Sequence, residues 1–488
     1  MSTLIKSISG IRGIVGDGID PENLVRFSAA FTKFCNYGKI VLGRDSRISG
    51  EAFSKIVAGT LMSSGCDVVD IGIVPTPTVQ IYVEELKASG GIMISASHNP
   101  NEWNALKLLN SEGTFLTPIQ AKEFLKLEET FHPLYKRWNE LGKYQFIEKA
   151  YKLHIEKILK LDIIDRDLIR SRKFKLLVDC VNGAGVKVVP ELLELLGCEV
   201  TKINCEETGI FPRNPEPIPE NLTETIKLAK EGSFDLTIIV DPDVDRLVLL
   251  QEDGEPFIEE YTIVLATDFV LSKRKGNVCV NLSTTRAVED VVKKHGCELF
   301  RTPVGEINVV EGMKKYNAVI GGEGSGGVIY PDLHYGRDAL IGIAFTLQYL
   351  AEKNKKLSEI KKELPSYYIS KDKFETKDIS PDDLSKIESA MRKFRFKKNE
   401  VISFQILDEQ EINFGFNKDA IFKDLETQEE LLTQPFQIKS NYNELVNEFL
   451  LSIKKKLLNH QIDHNLVLTS EPFDKALLAF LKKRKRLH

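Results

Sequence analysis

Three carboxylates stand at alternate positions in Asp241-Pro242-Asp243-Val244-Asp245-Arg246, directly after the apolar run FDLTIIV. Carboxylates leaving a strand in this way can converge on one hard cation, which takes oxygen ligands. The plain alternative is a solvated acidic turn. An apolar strand on each side, TIIV before and LVLL after, argues for metal by holding the loop at a strand end, where α/β sheets bind ligands. Asp241, Asp243, Asp245 and Glu252 also fall at EF-hand ligand positions, but Arg246 takes the place of the required glycine and strands replace the helices. An aspartyl-phosphate nucleophile would want Thr or Val where Asp245 stands. Neither rival fits.

A second candidate is Gly91-Ile92-Met93-Ile94-Ser95-Ala96-Ser97-His98-Asn99-Pro100, a strand running into a turn of small residues. Pro100 discourages helix at Asn99, so Ser97 and His98 are expected on an exposed bend. A serine beside a histidine can be an activated nucleophile. By these residues alone a plain turn is the better reading, because Ser, Asn and Pro dominate turns for backbone reasons. Asn104 and Lys107 follow, and Lys107 could donate a proton or neutralise a phosphate. A third is Gly321-Gly322-Glu323-Gly324-Ser325-Gly326-Gly327, after the strand-like YNAVI. Its glycines let backbone approach a ligand, while Glu323 and Ser325 offer paired contacts to sugar hydroxyls. P-loop and dinucleotide spacings are absent.

The elements that must position these loops form a weak internal repeat. Ile40–Arg47 leads through a helical stretch to Gly65-Cys66-Asp67-Val68. Lys175–Gly185 leads likewise to Gly197-Cys198-Glu199-Val200, and Asn277–Thr285 to Gly296-Cys297-Glu298-Leu299. Each unit is a strand, a polar loop, an amphipathic helix, a glycine stop and a new strand. Three such passes predict three related α/β domains. From about Ser370 the chain turns rich in Lys, Glu, Asn and Gln. Helical patterns at DDLSKIESAMRKF and ELVNEFLLSIKKKLL predict a smaller α+β module, with PSYYISKDKFE as linker.

With 488 residues the chain is too long for one core. Its 42% hydrophobic and 28% charged residues are those of a globular protein. A net charge of −5 gives no reason to expect nucleic acid as a partner, and the basic run Lys482–Arg486 reads as a solvated end. No apolar stretch nears membrane-spanning length and no signal-peptide pattern is seen, so no membrane partner is expected. The seven cysteines form no CxxC pair, as expected of reduced thiols in a cytoplasm.

Taken together, SASHNP, DPDVDR and GGEGSGG resemble, in order, the serine, metal and sugar loops of the α-D-phosphohexomutase family. Ser9-Gly10-Ile11-Arg12-Gly13, GRDSR, VPTPT, NLSTT and TPVGEINVVEGM are similar too, and the resemblance covers roughly residues 1 to 370. It implies a four-domain α/β architecture: domain I over 1–150 with the serine loop, II over 151–255 with the metal loop, III over 256–369 with the sugar loop, and a divergent α+β domain IV over 370–488. It implies that Ser97 is a phosphoserine and that Asp241, Asp243 and Asp245, with a Ser97 phosphate oxygen, bind one Mg²⁺ per chain. Arg12, His98 and Lys107 would serve catalysis. Arg246, Glu323, Ser325 and, as stand-in for a sugar-loop histidine that some relatives carry where Gly327 stands here, His334 would bind substrate. The substrate would be a hexose phosphate, glucosamine phosphate by the look of GGEGSGG and HYGRDA, and a hexose bisphosphate the activator. The family's RxSxTEP phosphate loop is not found. Lys439 and Ser440, ahead of the last helical pattern, and Leu468-Thr469-Ser470-Glu471-Pro472 are the nearest substitutes.

Overall fold

The computed structural model describes residues 3–7, 10–131, 133 and 135–367, and beyond these 401–407, 409, 412, 420–423, 430–433, 435–459, 462–468 and 470. The chain divides into two compact units, Met1–Tyr367 and Tyr368–His488.

The first unit repeats one strand order three times. Ile40–Arg44 lies between Val68–Ile73 and Gly90–Ile94, parallel to both, and Trp103–Leu109 returns antiparallel beside Gly90–Ile94. Lys175–Asp179 lies in the same way between Glu199–Ile203 and Leu236–Val240, with Leu247–Leu250 antiparallel outside. Asn277–Asn281 lies between Leu299–Thr302 and Ala318–Glu323, with Gly327–Ile329 outside. The first sheet is widened by Ile5–Ser7 and Gly10–Ile14 at one edge and Tyr144–Phe146 at the other. The repeat expected from the sequence is therefore a repeat of topology.

Crossover helices Ile48–Ser63, Gly185–Leu195 and Ala287–Lys294 join the first strand of each set to the second. Gly65, Gly197 and Gly296 follow them at φ of 94°, 77° and 69°, a left-handed conformation that stops a helix and suits glycine. Leu236–Val240 and Ala318–Glu323 are buried at every residue, as strands covered on both faces must be. One apolar core runs through all three sets, from Val41 through Val178 and Val280 to Leu364.

The end of the third strand in each set turns into the fourth through a short hairpin, at residues 95–102, 241–246 and 324–326. These are the serine, metal and sugar loops. The three candidate segments thus occupy one topological position in three copies of one fold. Each hairpin contains a residue at positive φ: Ser97 at 50°, Val244 at 60° and Gly326 at 89°.

In the second unit Val401–Leu407 and Ile462–Leu468 pair in parallel, and Ala420–Lys423 pairs antiparallel with Glu430–Thr433. A helix runs from Pro435 to Asn459, nine residues longer at its start than the pattern ELVNEFLLSIKKKLL had suggested. It absorbs Lys439 and Ser440, leaving only Gln434 between it and the preceding strand. Among the described residues no loop stands ahead of that helix. The pattern DDLSKIESAMRKF, most of the linker and Lys482–Arg486 lie outside the described residues.

Candidate active site

The serine loop is fixed from two sides. Ser97 N–H donates to Ser95 Oγ at 2.9 Å, and Asn99 N–H to the Ala96 carbonyl at 3.1 Å. The carbonyls of Ser97 and Asn99 accept from Arg47 Nη2 at 2.8 and 2.6 Å. Arg47 is buried, paired with Asp45, and its guanidinium lies 4.8 Å over the Phe211 ring. The bend is not exposed as expected: Ser97 is buried and His98 half-buried, because Arg47 and the metal loop hold the turn inward. Ser97 Oγ donates to Asp241 Oδ2 at 3.0 Å, and His98 Nδ1 lies 3.4 Å from the same Oγ. Burial, helped by the charge of Arg246, pulls the His98 imidazole down to about 4, so it is neutral near pH 7.

Asp241, Asp243 and Asp245 are fully buried, and one oxygen of each lies within 4.8 Å of the others. Asp241 Oδ1 accepts from the backbone N–H groups of Asp245 and Arg246, both at 3.1 Å. Asp243 Oδ2 accepts from Lys107 Nζ and Thr76 Oγ1. Asp245 Oδ2 accepts from Arg337 Nη2 at 2.6 Å. Asp243 Oδ1 and Asp245 Oδ1 are buried with no hydrogen-bond partner. Burial and the two neighbouring carboxylates push Asp241 well above the carboxylate range. Burial opposes the charge on Asp243 too, but Lys107 and Thr76 outweigh it and hold that carboxyl low. Two orphaned oxygens within a cluster of three buried carboxylates suit a hard divalent cation, which takes oxygen ligands.

Glu323 ends its strand buried, with both oxygens engaged. Oε1 accepts from Asn281 Nδ2 at 2.7 Å and Gly305 N–H at 3.1 Å, and Oε2 from Arg337 Nη1 at 2.8 Å. Ser325 is half-buried, with no hydrogen-bond partner among the described residues. Arg12 is exposed on Gly10–Ile14 opposite Ala105, which puts it on the same sheet face as Lys107. Arg246 is half-buried, its Nε 3.8 Å from Asp245 Oδ1. Burial works against the charge of Lys107, yet Asp243 and Asp245 more than offset it, leaving a fixed cation rather than a base.

His334 does not join this set. It is 2% exposed, and its Nε2 lies 3.2 Å from Asp338 Oδ2, which His154 Nε2 also meets at 2.7 Å. Thr78 Oγ1 caps His154 Nδ1 at 3.0 Å. These groups come from the first repeat, the helix Tyr151–Leu159 and the third repeat, so they form a buried junction. The side chain from this segment that does enter the site is Arg337. Arg47 and Arg337 lie in GRDSR and HYGRDA, segments matched to the family, but the sequence assigned neither an individual role.

Models of the phosphoglucomutase/phosphomannomutase α/β/α domains match the chain in order: domain I at residues 4–130, domain II at 150–254 and domain III at 259–368. The chain belongs to this family. Members of the phosphoglucomutase/phosphomannomutase family are hexose-phosphate mutases, and this chain is an enzyme of that kind. It is 38% identical over 373 residues to a phosphoglucomutase/phosphomannomutase of Thermococcus kodakarensis, covering 75% of this chain and 81% of the relative. It is 31% identical over 395 residues to a phosphoglucosamine mutase of Methanococcus vannielii, covering 80% and 86%. A solved phosphoglucomutase/phosphomannomutase family protein of Burkholderia thailandensis superposes with a TM-score of 0.66 at 27% identity, over 74% of this chain and 81% of that one.

Proposed function

We propose that the chain interconverts glucosamine 6-phosphate and glucosamine 1-phosphate through a phosphorylated Ser97. The observation that carries this reading is the convergence of Ser97 Oγ with three buried carboxylates across two hairpins of the repeat. A free hydroxyl of the hexose phosphate attacks the phosphorus on Ser97. The Ser97 Oγ–P bond breaks as the new O–P bond forms, leaving a bound bisphosphate. Neutral His98 takes the proton from that hydroxyl and returns it to Ser97 Oγ. After the sugar turns over, its other phosphate returns to Ser97 by the same steps in reverse. Asp241, Asp243 and Asp245, with a Ser97 phosphate oxygen, would hold Mg²⁺, which would supply charge neutralisation. Lys107, Arg12 and Arg246 add fixed positive charge, since phosphoryl transfer needs chiefly positioning and neutralisation. Ser325 offers its free hydroxyl to the ring, and Glu323 shares its carboxylate with it. A hexose bisphosphate serves as activator by phosphorylating Ser97.

The relatives' names divide between glucosamine phosphate and the glucose and mannose phosphates. A coupled assay on all three hexose 1-phosphates, with Mg²⁺ and a hexose bisphosphate present, tests the choice. The highest kcat/KM is expected on glucosamine phosphate. A higher value on mannose or glucose phosphate would make the chain a phosphomannomutase/phosphoglucomutase instead. Failure on all three would leave a sugar-phosphate-binding relative.

A further inference from the structure

We propose that Arg337 is a positioning residue that ties the metal loop to the sugar loop and competes with the cation for Asp245. This rests on the metal reading of Asp241, Asp243 and Asp245. Arg337 uses each of its three nitrogens on a different carboxylate: Nη2 on Asp245 at 2.6 Å, Nη1 on Glu323 at 2.8 Å and Nε on Glu306 at 3.0 Å. Its side chain is 11% exposed. A planar fork is the one side chain that can hold three carboxylates in fixed directions.

The sugar loop is cut to fit it. A Cβ added to Gly327 would lie 2.3 Å from Arg337 Cδ and 2.9 Å from Cγ. The φ of Gly327 is not in the left-handed region, so the glycine is explained by the space that Arg337 takes rather than by a turn. The position where some relatives carry a side chain is here filled by an arginine reaching in from ten residues downstream. Asp245 keeps its other oxygen, Oδ1, without a hydrogen-bond partner, the nearest cation to it being Arg246 Nε at 3.8 Å. A cation on that oxygen and the guanidinium on Oδ2 draw on one negative charge, so each weakens the other's hold. As the cation loads, Arg337 leans on Glu323 and Glu306, and the sugar loop is set in register with a filled metal loop.

The test uses Mn²⁺ as the probe, its dissociation constant read by electron paramagnetic resonance on the full-length protein, beside steady-state kinetics with saturating Mg²⁺. Arg337→Met should bind Mn²⁺ roughly three- to tenfold more tightly, because a competing charge is gone, while KM for the hexose phosphate rises. Arg337→Lys should restore the wild-type Mn²⁺ constant but not KM, since an ammonium supplies charge without bridging. Gly327→Ala should also tighten Mn²⁺ binding with every charge still present, by pushing Arg337 aside, and it stands in if Arg337→Met does not fold. A merely structural role would weaken metal and sugar together. Unchanged or weaker Mn²⁺ binding in folded Arg337→Met or Gly327→Ala protein overturns the proposal. Unchanged Mn²⁺ binding in Asp243→Asn would instead sink the metal reading itself.

Discussion

Ser97 sits at φ 50°, a region that non-glycine residues enter at a cost of about 1–3 kcal/mol, and Arg47 holds its carbonyl there. The cost is offset by presenting Oγ to Asp241 and His98. Incubation with a hexose bisphosphate should therefore add one phosphate by intact mass, mapped to Ser97 and lost in Ser97→Ala. Ser95 is no substitute carrier, because it is fully buried and its Oγ already accepts the Ser97 N–H. Label on Ser97→Ala at the wild-type level would remove Ser97 from the chemistry. Asp243→Asn should lower turnover by roughly a hundredfold or more at limiting Mg²⁺ with the fold intact, since it halves the grip on Lys107 and takes one charge from three. Activity within a few-fold of wild type would end the metal assignment. The three aspartates stood out because they form a local pattern after a strand, whereas Ser97, whose own segment reads better as a plain turn, drew attention only through the resemblance of the three loops taken together. Arg337 and Arg47 did not stand out, because their partners lie 92 and 50 residues away. His334 drew attention as a titratable ring three residues from Arg337, and nothing local shows that Asp338 and His154 bury it.

Helix packing in the third repeat depends on a buried carboxylate outside the active site. Asp268, on the helix Glu260–Lys273, accepts from His295 Nε2 at 2.7 Å, from Lys294 Nζ at 3.2 Å and from the Tyr349 hydroxyl. It thereby ties Ala287–Lys294 and Ala339–Lys353 to its own helix. Burial alone would raise this carboxyl, but the hydrogen bonds from Tyr349 and His295 and the charge of Lys294 outweigh it and hold it low. A carboxyl depressed in the folded state stabilises the fold fully above its unfolded value near 3.9, and the gain is lost as pH falls through the lower folded value. Asp268→Asn should therefore cost about 1–3 kcal/mol at pH 7, with the gap to wild type narrowing below about pH 4. Thermal unfolding of both proteins between pH 7 and 3.5 measures it, and a gap that widens on acidification would show the sign to be wrong. At this scale the sequence was most readable, for the glycine stops and alternating polarity of each βαβ pass survive in isolation. The shared hairpin position was not, because it depends on which strands pair, and pairing is a non-local choice.

The three repeats share one core, so the first unit carries both its own stability and every residue of the proposed phosphoryl-transfer site. The second unit, Tyr368–His488, is where the family resemblance would place the grip on the phosphate that is not being transferred. Among the described residues, Lys439 and Ser440 lie inside the helix Pro435–Asn459 and not in a loop ahead of it. The remaining candidate follows the strand Ile462–Leu468, where Thr469, Glu471 and Pro472 lie outside the described residues and no arginine precedes them. A dianionic phosphate in a cleft needs backbone N–H groups and a cation to replace its water. Without the arginine, the second unit should add little to affinity. A chain ending at Tyr367 should fold, take one phosphate on Ser97 from a hexose bisphosphate, and show a KM for the hexose monophosphate only a few-fold above that of the whole protein. A complete charge-assisted clamp is worth a few kcal/mol, which corresponds to a hundredfold or more in KM. Loss of that size on truncation, in protein that still melts cooperatively and still labels on Ser97, would mean that the second unit holds phosphate with residues outside the RxSxTEP pattern.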